Sequence, residues 1–270
     1  SLSLIFFSII FLDNNDYSKL SLIFLITELF VLIICLFLIS KYFIFYFYEI
    51  KNNFKLILNF FKKTIIYSFL SETFIRIDIL MISYFFNDKY VGIYALAAIF
   101  SEGIYQISVY VRNLANPYLS EFSKSKIYNN NFFIKFSTYS FFLTFLFSVL
   151  TLLSFYLFNI FYNEIHNDIS DIFIILFILL VGISMYSVFS PFEMIFVLSG
   201  FPITQSLIIF FVSFINIILN YFFINYYGLI GAAFSTTLVL FIYGNLTYYI
   251  SSKLLNLKYG YFLTSKQNSL

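Results

Sequence analysis

Eight apolar runs separated by short polar connections constrain this chain more than any other feature. They cover residues 1–12, 19–46, 62–86, 91–115, 132–161, 171–198, 204–225 and 229–251. All but the first approach or exceed the roughly 20 residues that a helix needs to cross the hydrocarbon of a bilayer. In lipid every backbone polar group must be paired within the chain, which leaves only helices and closed barrels. Barrel strands run to about ten residues, much shorter than these runs. The expected fold class is therefore all-α, a polytopic membrane bundle of about eight transmembrane helices. Composition agrees, since 61% of residues are hydrophobic and 10% charged, against about 45–50% and about 25% in soluble domains. Run 1–12 is too short to span, so it reads as a truncated helix and the chain as a piece that begins inside it.

The connections alternate in charge. Lys41, Lys51, Lys55, Lys62 and Lys63 lie between the second and third runs, Lys124, Lys126 and Lys135 between the fourth and fifth, and Lys253, Lys258 and Lys266 in the tail. The opposite connections hold Asp13, Asp16 and Lys19, then Asp88 and Lys89, then Glu164, His166, Asp168 and Asp171. The positive-inside rule puts the lysine side and the C-terminus in the cytoplasm. Residues 41–63 mix lysines with apolar side chains, so they read either as a helix lying in the interface or as a solvated loop with snorkelling lysines. The expected division is 1–46, the last helices of an incomplete N-terminal lobe; 47–63, a basic cytoplasmic linker; and 64–270, a six-helix C-terminal lobe of a two-lobed transporter.

Signatures of soluble chemistry are missing. The sequence contains no GxSxG, Walker loop, HExxH or CxxC, and His166 is its one histidine. A single imidazole without neighbouring ligands makes no metal site, and no cofactor is implied. Cys35, in an apolar run, reads as a small buried hydrophobe. The lysines flank membrane runs rather than forming a nucleic-acid face. With 42 Phe and 24 Tyr, no single aromatic residue marks a site.

The charged residues inside apolar runs carry the functional signal, because such residues are costly in a membrane and face protein or water. On the third run Glu72 and Arg76 are four apart and can pair, while Asp78 points elsewhere. On the fourth, Ser101, Tyr105, Ser108 and Arg112 share one face, flanked by Glu102, Gln106 and Asn113. This seam reads either as glue between helices or as the lining of a cavity. Glu193 sits beside Pro191, which opens a helix locally, so it reads either as an ion or substrate site in a broken helix or as a helix end near Ser199-Gly200. Glu28, deep in the second run, is a titratable group or the partner of a basic residue elsewhere.

Arg76-Ile77-Asp78 followed by Val91-Gly92-Ile93-Tyr94, Ala95, Ala97 and Glu102 resembles the seventh and eighth helices of polysaccharide flippases of the multidrug/oligosaccharidyl-lipid/polysaccharide exporter superfamily. Asn220 and Tyr227-Gly228-Leu229-Ile230-Gly231-Ala232-Ala233 are similar to the segment that opens their last helix. The resemblance covers about residues 20–270. It implies export of lipid-linked oligosaccharide on a polyprenyl diphosphate carrier across the cytoplasmic membrane by alternating access, with no enzymatic step. It implies that Arg76 and Arg112 contact phosphate, and that Asp78, Glu102, Tyr105 and Gln106 shape the cavity or contact sugar. Glu28 and Glu193 remain candidates for ion coupling. The implied partners are the bilayer and other polysaccharide assembly proteins. Two alternatives stand beside this reading: an organic-cation antiporter of the same fold and a membrane polysaccharide polymerase, for which the external loop at 162–170 is short.

Overall fold

The computed structural model describes residues 20–40, 47–125, 130–161 and 166–254, all helix apart from short turns. The helices are α1 (Leu20–Ser40), α2 (Phe47–Phe85), α3 (Asp88–Ser125), α4 (Asn130–Phe161), α5 (His166–Ser187), α6 (Ser190–Glu193), α7 (Ile195–Leu198) and α8 (Pro202–Leu254). Four are long and apolar enough to cross a membrane, over Asp88–Glu121, Phe132–Leu157, Ser170–Ser187 and Pro202–Lys253. The protein is thus an all-helical membrane bundle. The spanning part of α2 falls outside this group because it carries Lys62, Glu72, Arg76 and Asp78. The run expected at 1–12 and the tail lysines Lys258 and Lys266 lie outside the described residues.

The chain divides into two compact units, Ser1–Leu58 and Asn59–Leu270. In the first, α1 leaves its side chains from Leu29 to Ile39 exposed, as a helix surrounded by acyl chains does. Residues 47–63 are helical and run without a break into the rest of α2, so the lysine-bearing stretch is not a loop.

The second unit is built around α5, which packs against α3, α4 and α8. Its Ile175, Leu176, Leu179, Leu180 and Ile183 are buried against Ala97 and Ala98 of α3 and against Val212, Ile224, Ala232 and Val239 of α8. A small residue lets α5 and α8 approach closely: a Cβ at Gly182 would lie 2.8 Å from Thr237 Oγ1. The Thr237 hydroxyl donates to the Ile178 carbonyl across the same contact, at 2.9 Å. A ladder of hydroxyls joins α4 to α5 and α6, pairing Ser148 with Ser184, Thr144 with Ser187 and Ser140 with Ser190. Steps of four on α4 keep the three groups on one face. Such bonds hold membrane helices together where no hydrophobic force acts between them.

Turns and helix breaks shape the remainder. Asn87 begins α3, accepting from the Tyr90 N–H through its backbone carbonyl at 3.1 Å and its side chain at 3.5 Å, and Asp88 puts negative charge at the helix N-terminus. The run read as one helix over 171–198 is in fact interrupted. It begins at His166, stops at Ser187 and continues as the single turns α6 and α7, because Pro191 has no N–H to continue the ladder. Gly200, at φ 86°, then closes α7, with the Phe201 N–H reaching the Phe196 carbonyl at 2.7 Å, and Pro202 starts α8. Within α8, Gly228 at φ 60° and ψ −138° separates two helices, close to the expected boundary between 204–225 and 229–251.

Gly182→Val should lower the stability of the protein in lipid nanodiscs by about 1–3 kcal/mol through overpacking. Gly103→Ala, where a Cβ meets nothing within 4 Å, should leave the thermal midpoint unchanged in the same melts.

Candidate functional site

Asp78 is turned inward by the face of α2 that also buries Ile77 and Ile82, and it is 6% exposed. Its carboxylate is the meeting point of four helical segments. Tyr94 OH of α3 donates to Oδ2 at 3.2 Å, and Thr236 Oγ1 to the same oxygen at 2.5 Å. Asn216 and Asn220 donate to Oδ1 at 3.2 and 3.0 Å. These two amides stand one turn apart before the Gly228 break, and Thr236 follows it, so both halves of α8 reach one carboxylate. Asn220 also donates to Asn216 Oδ1 at 2.8 Å, while its own Oδ1 is buried without a partner.

Glu193 organises a second cluster from the broken helix. It forms an ion pair with Arg112 of α3, the two side chains being 6% and 11% exposed. Tyr186 OH donates to it at 2.7 Å, Tyr243 OH at 3.1 Å and Tyr67 OH, the loosest, at 3.5 Å. The Tyr186 and Tyr243 rings stack with centroids 5.6 Å apart, and Gln205 donates to Tyr243 OH at 2.8 Å. Removing one partner from a buried ion pair leaves an uncompensated charge, so this cluster is a structural commitment as well as a polar site.

Between the two clusters lies a cavity of about 100 Å³, lined by Asp78, Tyr94, Glu102, Tyr105, Glu193 and Tyr243 among others. A buried water occupies about 10–15 Å³ on the same measure. The cavity therefore has room for several waters or a hydrated cation and is far too small for a saccharide on a lipid carrier. Three carboxylates face it. The chain's two arginines are both engaged, Arg112 with Glu193 and Arg76 with Glu102 at 3.8 Å. Among the described residues Asp78 has no cationic partner, only the four neutral donors. Neutral donors ease the burial of a carboxylate but leave its charge, which a proton or a metal cation can balance. Among the described residues no three His, Cys, Asp or Glu side chains are grouped so that they could hold a metal ion. The Asn216 and Asn220 amides present N–H to Asp78, so its carboxylate and the Tyr94 and Thr236 hydroxyl oxygens are what a cation would meet there, and such oxygens suit a hard cation rather than a transition metal.

The expected site residues separate into an inner and an outer set. Ser101, Tyr105, Ser108 and Arg112 turn inward on α3; Ser101 and Ser108 donate back to the carbonyls of Ala98 and Tyr105 within α3 itself, not to another helix. Gln106, Asn113, Glu72 and Arg76 are exposed, and Glu102 lies between the two sets. Arg76 pairs across to Glu102 on α3, not along its own helix with Glu72. Arg112, expected on the phosphate, has its guanidinium against Glu193. Glu28 is exposed on α1, in the first unit. Sequence reading did not single out Asn216, Thr236, Tyr186 or Tyr243. The two asparagines four apart in an otherwise apolar run were a usable signal; the tyrosines, among 24, were not.

The chain is similar to a solved structure of a MOP superfamily transporter from Pyrococcus furiosus Vc1 (DSM3638), reported with a binding pocket of reversed polarity that suggests a different function. The TM-score is 0.50 and the identity 16%. The two share a fold. The match covers 72% of this chain and 43% of that one, so the chain spans less than half of the transporter's length. No protein-family model and no curated protein sequence matches it.

Arg112→Met should destabilise the protein by about 3–5 kcal/mol by stranding Glu193. Combining it with Glu193→Gln should recover most of that loss. Thermal unfolding of both single variants and the double variant in nanodiscs gives the cycle.

Proposed function

We propose that the chain is the ion-coupled C-terminal lobe of a flippase that carries lipid-linked oligosaccharide, a repeat unit on polyprenyl diphosphate, across the cytoplasmic membrane by alternating access. The observation that carries this reading is the exposed polar face of α2 and α3. Glu72, Arg76, Gln106 and Asn113 are exposed on the surface of the unit. Glu102 lies about 21 Å along α3 from Asp88 at 1.5 Å per residue, inside a hydrocarbon layer of roughly 30 Å. Charged groups at that depth do not face acyl chains, so this face lines a hydrated cleft.

The roles follow from the chemistry of the side chains. Arg76, whose side chain is 56% exposed, is the guanidinium accessible to a diphosphate, which a planar guanidinium grips bidentately. Glu72, Gln106 and Asn113 offer donors and acceptors to sugar hydroxyls. Asp78 is the cation site in the cavity behind the face, taking the coupling role that Glu28 and Glu193 were candidates for. Arg112 and Glu193 brace α3 against the broken helix. The lysine-rich connections orient the C-terminus toward the cytoplasm.

The acidic and aromatic lining of the inner cavity favours a second reading, an organic-cation antiporter of the same fold, because rings and carboxylates together attract a cation. The two readings part on where substrate accumulates. In cells lacking the protein, a membrane-impermeant sugar oxidant should leave the lipid-linked repeat units unmodified on the cytoplasmic side; modification at the normal level would sink the flippase reading and favour the antiporter. Complementation with Arg76→Ala should lower transport by about ten- to a hundredfold at equal membrane level, the loss of a charge-assisted contact of about 1.5–3 kcal/mol. Asp78→Asn, which keeps the size and one acceptor oxygen, lets the Tyr94 and Thr236 hydroxyls turn to accept, and removes the charge, should abolish the dependence of transport on the ion gradient at equal membrane level.

A further inference from the structure

The geometry points to Glu102 as the residue that couples the substrate face to the cation cavity: it holds Arg76 while the diphosphate is absent and turns to the cavity when an anion takes its place. This rests on the flippase reading given above. Glu102 is the one side chain that belongs to both sets. It lines the cavity that also holds Asp78, and its Oε2 lies 3.8 Å from Arg76 Nη2 on the exposed face.

The Arg112–Glu193 and Arg76–Glu102 ion pairs are built differently. Glu193 is buried and takes three tyrosine hydroxyls besides Arg112. Glu102 is 31% exposed, has no hydrogen bond among the described residues and stands at a separation too long for one. A loose, partly solvated pair of this kind is worth little. A diphosphate, with more charge and several acceptor oxygens, displaces a single carboxylate from the guanidinium. Glu102 then loses its countercharge. Its carboxylate and that of Asp78 now face one small cavity in which Asp78 already lacks a cationic partner, and like charges in a confined space draw in a cation.

The anion outside and the cation inside therefore load together. By linkage the effect is reciprocal: a cation in the cavity draws Glu102 off Arg76 and tightens phosphate binding by the same factor. Loading is charge-compensated, since the lobe takes up positive charge as it takes up the diphosphate.

The test is binding of inorganic diphosphate to the purified chain in nanodiscs, by calorimetry, with and without saturating sodium at fixed pH, for the wild type, Glu102→Gln and Arg76→Gln. Wild-type affinity should rise about fivefold or more on adding sodium, the lower end of ordinary coupling between sites. Glu102→Gln should bind diphosphate at least as tightly as sodium-loaded wild type and show no sodium effect, with its thermal midpoint unchanged. A sodium effect that survives in Glu102→Gln, or none in wild type while Arg76→Gln abolishes diphosphate binding, overturns the role of Glu102 and leaves the substrate face standing. Equal diphosphate binding by wild type and Arg76→Gln, or no binding by either, overturns the substrate face itself and the coupling with it.

Discussion

A buried carboxylate with no cationic partner among the described residues is the constraint around which the second unit is arranged. Asp78 draws a hydroxyl from α3, two amides from the first half of α8 and a hydroxyl from the second half. A carboxylate in a low-dielectric interior is tolerated only when donors converge on it. The helices that supply them are thereby tied to one point, and a change in the charge on that point bears on all of them. The break at Gly228 is part of this arrangement, because it brings Thr236 back to the carboxylate that Asn216 and Asn220 already touch.

Against that unbalanced charge stand two balanced ones of unequal strength. Arg112 and Glu193 are sealed among tyrosines and brace the one-turn helix that follows the end of α5 at Ser187. Arg76 and Glu102 meet loosely at the edge of the unit, where water or a ligand competes for each. The same pairing of residue types thus gives a fixed strut in one place and an exchangeable contact in the other. Burial and the number of hydroxyl donors make the difference.

Much of the fold was legible from the chain alone. Apolar runs of spanning length announced the helices, and the expected ends at Ser199-Gly200 and between 225 and 229 fall at the turns the structure places at Gly200 and Gly228. The break beside Pro191 was readable as a local opening, but the end of α5 at Ser187 was not. Asp78, Glu102, Tyr105 and Arg112 stood out as charged or polar groups in apolar surroundings, and they do meet around or beside one cavity. Their division into partners was hidden. Arg76 has an acid four residues earlier, yet it pairs with Glu102 on another helix. Arg112 was read toward a phosphate, yet Glu193, eighty-one residues away, takes it.

What the sequence determined by itself was therefore the solvent and the class: long apolar segments admit only helices in lipid, since backbone groups there must be paired within the segment. It also showed which few residues resist that solvent. Only the tertiary structure decided what each of those residues does, because a charge in a membrane helix is settled by whichever donor or counterion packing brings to it. Helical periodicity gives the face of one helix but not its neighbour. The partners of Asp78 come from residues 94, 216, 220 and 236, and no local pattern joins positions so far apart.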